Sequence, residues 1–69
     1  MITWIREDAG VYKSDDGRFD IMKTYDRVYG THWQLHDNNE PNYYKGNYDE
    51  QSLRECKAKA EAILAREKV

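Results

Sequence analysis

The tripeptide Asp15-Asp16-Gly17 stands between two strand-like runs, Val11-Tyr12-Lys13-Ser14 and Arg18-Phe19-Asp20-Ile21-Met22-Lys23-Thr24-Tyr25. No other feature restricts the fold as strongly. Asp-Gly between such runs signals a β-hairpin, because glycine supplies the positive φ that a primed turn demands. A two-residue Asp16-Gly17 turn sets Lys13 opposite Asp20 and Tyr12 opposite Ile21, one cross-strand ion pair and one apolar pair. Tyr12, Phe19 and Ile21 then share a face. A three-residue turn with a glycine bulge would mix the faces, so the two-residue form is expected.

A connection from Asp26 to Gly30 leads into Thr31-His32-Trp33-Gln34-Leu35-His36-Asp37, where Trp33 and Leu35 alternate with His32, Gln34 and His36. Closing the loop between Tyr25 and Thr31 sets Ile21 opposite Leu35. The apolar faces of three strands then coincide, as a meander requires. Ile2-Thr3-Trp4-Ile5 can add a short lead-in strand within residues 2–6, interrupted by Ala9-Gly10. Residues 38–51 read as a long Tyr/Asn-rich loop, with a short extended piece around Tyr43–Lys45.

Ser52-Leu53-Arg54-Glu55 matches a capping box, with Ser52 as N-cap and Glu55 three residues on. The helix is expected from Leu53 to about Glu67, its apolar face formed by Leu53, Cys56, Ala60, Ile63 and Leu64. That face can bury itself only on the sheet face of Tyr12, Phe19, Ile21, Trp33 and Leu35. The expected fold is therefore α+β: a three-stranded antiparallel sheet, with room for a short extra strand, packed against one C-terminal α-helix. At 69 residues the chain is a single domain, 1–69.

A chain this short buries only about 60% of the surface its unfolded form exposes. A closed substrate pocket of roughly 300 Å³ would hollow out its core, so no enzyme activity is expected. One cysteine, Cys56, excludes an intrachain disulfide. Residues 1–20 hold no secretory-type apolar run, and no stretch approaches the ~20 apolar residues of a membrane span. A cytoplasmic protein without membrane association is expected. The 11 basic and 13 acidic residues, net −2, lack the basic excess usual in nucleic-acid binders.

His32 and His36 have the spacing of a metal pair on a helix, but on a strand four residues span about 13 Å, too far to share an ion. Two solvated histidines are expected instead. Asp37-Asn38-Asn39-Glu40 fails the calcium-loop pattern, with Asn42 where glycine is needed and Tyr48 where a bidentate Glu belongs. Cys56 faces the predicted core, which disfavours a nucleophile. No metal, cofactor or catalytic residue is therefore assigned.

Aromatic content, 13%, is more informative. Trp33, Phe19 and Tyr12 belong to the predicted core, whereas Tyr29, Tyr43, Tyr44 and Tyr48 lie in or beside loops. Tyrosine supplies contact area at low entropy cost and asparagine adaptable hydrogen bonding, the composition of binding loops. Tyr43, Tyr44, Tyr48, Asn42 and Lys45 are the candidate partner-binding residues; packing of these tyrosines on the core is the alternative. The outer sheet face offers a second candidate. Lys13, His32, Gln34 and His36 could meet a nucleic acid there, with Arg18 and Arg27 at the turns on phosphates. Aspartates stand among them. Ala58, Ala62 and Ala65 form a small-residue stripe that permits helix approach in a homodimer.

With these residues in place, the chain resembles small accessory proteins of actinobacterial phages and prophages. The resemblance rests on Gly10-x-Tyr12-x-Ser14-x-Asp16-Gly17-Arg18-Phe19-x-Ile21, on Trp33-x-Leu35-x-Asp37 and on Ser52-Leu53-Arg54-Glu55-Cys56-Lys57. It covers most of residues 10–64 and implies a fold more than a function. The strand-strand-strand-helix order is also similar to arm-type DNA-binding domains of phage integrases, which implies DNA read by the outer sheet face. This chain departs from them in its acidic balance. The expected function is a non-enzymatic interaction module, of phage-accessory or host-modulating type, that binds a protein partner through the Tyr/Asn loop. The alternative is nucleic-acid binding by the outer sheet face.

Overall fold

The computed structural model describes residues 1–28, 30–42 and 44–67. Among these residues five strands, β1 (Trp4–Asp8), β2 (Val11–Ser14), β3 (Phe19–Asp26), β4 (Gly30–Asp37) and β5 (Asn47–Glu50), precede one helix, α1 (Leu53–Glu67). The strands form one antiparallel sheet in chain order. The α+β class and the C-terminal helix are as expected; the sheet has five strands where three, with room for one short extra strand, were expected.

Both additions have a physical reason. β1 pairs Trp4 with Ser14 and Arg6 with Tyr12, and its register shifts between Arg6 and Asp8 before the Ala9-Gly10 turn. It therefore runs further than the expected lead-in strand. β5 takes up the end of the expected 38–51 loop, and turn structure occupies residues 44–46. Asn and Asp are poor strand formers, yet this strand is held by what lies opposite: Tyr48 pairs with Leu35, Asn47 with His36 and Asp49 with Gln34.

The registers Tyr12↔Ile21, Lys13↔Asp20 and Ile21↔Leu35 are those the alternation required. The first turn differs in kind. Among the described residues only glycines have positive φ, so Asp16 does not enter the left-handed region a primed Asp16-Gly17 turn would need. Instead the Gly17 N–H bonds the Ser14 carbonyl at 3.0 Å with Gly17 at φ +77°. The Asp16 carboxylate accepts from the Ser14 hydroxyl at 2.7 Å and the Arg18 N–H at 3.0 Å. Ser14 Oγ in turn accepts from the Phe19 N–H at 2.9 Å. Side-chain oxygens thus replace ladder bonds at the hairpin end, and Asp16 is held below the usual carboxylate range by the Ser14 hydroxyl and then the Arg18 amide.

The core is Phe19, Ile21 and Leu35 from the sheet and Cys56, Ala60 and Ile63 from α1, with Ile2, Trp4, Tyr12, Trp33, Tyr48, Leu53 and Leu64 packed around it. Each fully buried large side chain contributes about 1.5–3 kcal/mol. The helix lies over β3, β4 and β5. Two lysines flank it: Lys57 Nζ sits 5.3 Å from the Tyr12 ring centroid on β2, and Lys59 Nζ 4.9 Å from that of Tyr48 on β5. The Ser52 hydroxyl accepts from the Glu55 N–H at 3.1 Å, as a capping box requires. Glu55 reaches one residue further back than the motif predicts, to the Gln51 N–H at 3.0 Å.

Candidate functional site

The described residues between Asn38 and Gly46 are held by local polar groups. The Asn38 N–H bonds the Arg18 carbonyl at 2.7 Å, and its side-chain amide donates to the Gly17 carbonyl at 3.0 Å and to Asp20 Oδ2 at 2.8 Å. These contacts fasten the loop to the first hairpin turn. Asp37 Oδ1 accepts from the Asn39 N–H at 3.0 Å, and the Asp37 N–H closes the loop on the Gly46 carbonyl at 2.8 Å. Gly46 is required here, because a Cβ at that position would stand 2.9 Å from the Asp37 carbonyl oxygen. Asn42 Oδ1 accepts from the Tyr44 N–H at 3.0 Å.

Among the described residues of the segment, Tyr44 is 86% exposed, and Asn42 and Lys45 are exposed beside it. Tyr48 is placed elsewhere: it lies on β5, packed against the core beneath Lys59. Tyr29 and Tyr43 lie outside the described residues. Of the five loop candidates, the structure therefore groups Tyr44, Asn42 and Lys45 on one surface and separates Tyr48 from them.

The nucleic-acid candidates are more dispersed. Lys13 is exposed on the outer face, 3.8 Å from Glu7. His32, Gln34 and His36 lie in register on β4, but each bonds to β5. His32 Nε2 is 3.2 Å from Asp49 Oδ1, Gln34 Nε2 donates to the same oxygen at 3.2 Å, and His36 Nδ1 meets Asn47 Oδ1 at 2.7 Å. The expectation of two solvated histidines is corrected for His32, which is buried and whose Nδ1 lies 3.2 Å from the Gly30 carbonyl. Arg27 is exposed in the β3–β4 turn.

Arg18 turns to the helix side. Its guanidinium lies 4.9 Å from the Phe19 ring centroid, donates twice to Asp37 and reaches Glu67 near the end of α1. Burial alone would raise the Asp37 pKa, but hydrogen bonds from Arg18 and the Asn39 amide bring it below the usual carboxylate range. Glu67 is lowered by the Arg18 hydrogen bonds, and Glu67 and Asp37 together raise the pKa of the guanidinium.

Burial pushes the Cys56 thiol up to about 12, which keeps it protonated and unreactive near neutrality. Among the described residues no cluster of His, Cys, Asp and Glu could hold a metal ion, and no helix is long and apolar enough to cross a membrane. The partners of His36 and Gln34 on β5 escaped the sequence reading; the signal was the alternation Asn47-Tyr48-Asp49, apolar in and polar out. No family model, curated protein or solved structure matches the chain.

Proposed function

We propose that this chain is a non-enzymatic interaction module that binds a protein partner through the 38–46 loop, with Tyr44 as its central contact and Asn42 and Lys45 beside it. The observation that carries the reading is an 86% exposed tyrosine whose backbone N–H is held by Asn42 Oδ1 at 3.0 Å. Tyrosine has few side-chain torsions to freeze on binding, which is how such exposed side chains become interface anchors. The outer sheet face supports nucleic-acid binding less well. Asp20 and Asp49 interrupt it, and the guanidinium of Arg18 is committed to carboxylates. The reading fits a phage-type accessory or host-modulating protein acting in the cytoplasm, where the free thiol of Cys56 stays reduced.

The test is capture of partners from a lysate of the host cell, with and without nuclease, by wild type and by the double variant Tyr43→Ala/Tyr44→Ala. Nuclease-resistant capture lost in a variant that still melts cooperatively supports the proposal. An anchor of this kind is worth about 2–4 kcal/mol. Salt-sensitive binding to duplex DNA that survives both tyrosine changes would overturn it in favour of the outer sheet face.

A further inference from the structure

A second surface stands on different residues, on the helix side of the sheet. Alternation places Lys23 on the inward face of β3, two residues beyond Ile21 and directly opposite Trp33. An inward lysine in an apolar row needs a reason. Opposite its amide lies Gly10, whose carbonyl accepts the Lys23 N–H at 2.7 Å and which has no side chain to cover the lysine stem. The Lys23 ammonium then sits 6.0 Å from the Trp33 ring centroid. The Trp33 ring lies 6.1 Å from that of Tyr12, and Lys57 sits 5.3 Å from the Tyr12 ring. Arg6 pairs with Tyr12 from β1, and Arg54 lies one turn before Lys57 on α1. Two ammonium groups thus lie over two half-buried rings, with Arg6 in register with Tyr12 and Arg54 beside Lys57.

None of the four is within ion-pair distance of a carboxylate among the described residues. Carboxylates stand close by without reaching them: Glu7 and Asp8 line a hollow with Arg6, Glu50 is opposite Trp33, and Glu61 accepts the Ile2 N–H at 2.9 Å. Beside the rings runs an open trough of about 460 Å³ lined by Ser52, Leu53, Arg54 and Lys57, with Leu53 as its apolar wall.

We infer that this surface binds an acidic peptide segment carrying a hydrophobic side chain: its carboxylates meet Arg6, Lys23, Arg54 and Lys57, and its apolar residue enters the trough beside Leu53. Charge complementarity selects an anion. The rings select a peptide over a single-stranded nucleic acid, because a lysine already lies over each ring where a base would have to stack. The same rings hold the two ammonium groups in place, so less side-chain entropy is lost when a carboxylate arrives.

The test uses a fluorescein-labelled peptide of Glu, Asp, Leu and Phe, with an oligothymidine strand as the competing probe. Anisotropy is read at roughly 0.05 M and roughly 0.5 M salt. The peptide is expected to bind at low salt and weaken at high salt. The charge reversal Arg6→Glu/Arg54→Glu should weaken it at least about tenfold, since both side chains are exposed and opposite charges become like charges. The variant Arg27→Glu/Arg66→Glu, with the same change in net charge away from the patch, should stay within about twofold of wild type. Lys23→Glu provides a third reading inside the patch. Unaltered melting curves confirm that each variant is folded. Equal losses in the patch and control variants, or no peptide binding at low salt, would overturn the assignment. So would tighter binding of oligothymidine that is lost in the patch variants. Because Tyr44 is untouched throughout, failure here leaves the loop reading to its own test.

Discussion

Arg18 and Asp37 meet in a two-pronged contact, Nε to Oδ1 and Nη2 to Oδ2, both at 3.1 Å, with both side chains mostly buried. Through the same guanidinium the end of α1 is tied to the first hairpin, since Glu67 accepts from it as well. Arg18→Gln leaves Asp37 buried without its cation. The expected cost is about 3 kcal/mol, near the lower end for breaking a buried pair. For a domain of this size that lowers Tm by more than about 10 °C. An unchanged Tm would mean that the contact does not hold the helix end.

Acid should unfold the protein through the same groups. Asp37, Asp16 and Glu67 all have pKa values lowered by folding. As pH falls, the unfolded chain takes up protons first, near the ordinary carboxylate value of about 4. Their contribution is therefore complete above about pH 5 and is lost as pH falls toward the folded values. Thermal melts between pH 7 and pH 3 should show Tm falling below about pH 4.5, and Arg18→Gln should flatten that fall.

Two glycines with nearly the same φ should respond differently to alanine. Gly10 (φ +74°) would bring a Cβ to 3.0 Å from Lys23 Cβ, whereas Gly17 (φ +77°) has open space. Both substitutions carry the left-handed penalty of roughly 1–2 kcal/mol. Gly10→Ala adds a steric clash and should be the more destabilising in a denaturant titration. Equal midpoints would show that the sheet moves freely at Lys23.

Ser52→Ala removes the hydroxyl that accepts the Glu55 N–H and should cost about 1 kcal/mol. The check is urea unfolding followed by far-ultraviolet circular dichroism. An unchanged midpoint would show that Glu55, bonded to the Gln51 N–H, caps the helix by itself.

Two tyrosines four residues apart should separate cleanly. Tyr48→Ala removes a ring packed on the core beneath Lys59 and should cost about 2 kcal/mol. Tyr44→Ala, at an exposed position, should stay within about 0.5 kcal/mol of wild type. If Tyr44→Ala proves the costlier, that ring belongs to the folded core and its part in partner binding falls.

By itself the sequence determined the hairpin, the pairing of β2 with β3 and β3 with β4, the inward row of Tyr12, Phe19, Ile21, Trp33 and Leu35, and a helix starting after Ser52. These follow from short-range physics: a period of two, a turn glycine, a capping hydroxyl. Only the tertiary structure decided β5, the ion-pair clamp of Arg18, and the separation of Tyr48 from Tyr44. Asp37 and Glu67 lie 19 and 49 residues from Arg18. A polar side chain carries no period that points to so distant a partner, so its role is settled when the chain closes around it. The same holds for Asn47, Tyr48 and Asp49, whose strand exists because His36, Leu35 and Gln34 are already in place to receive it.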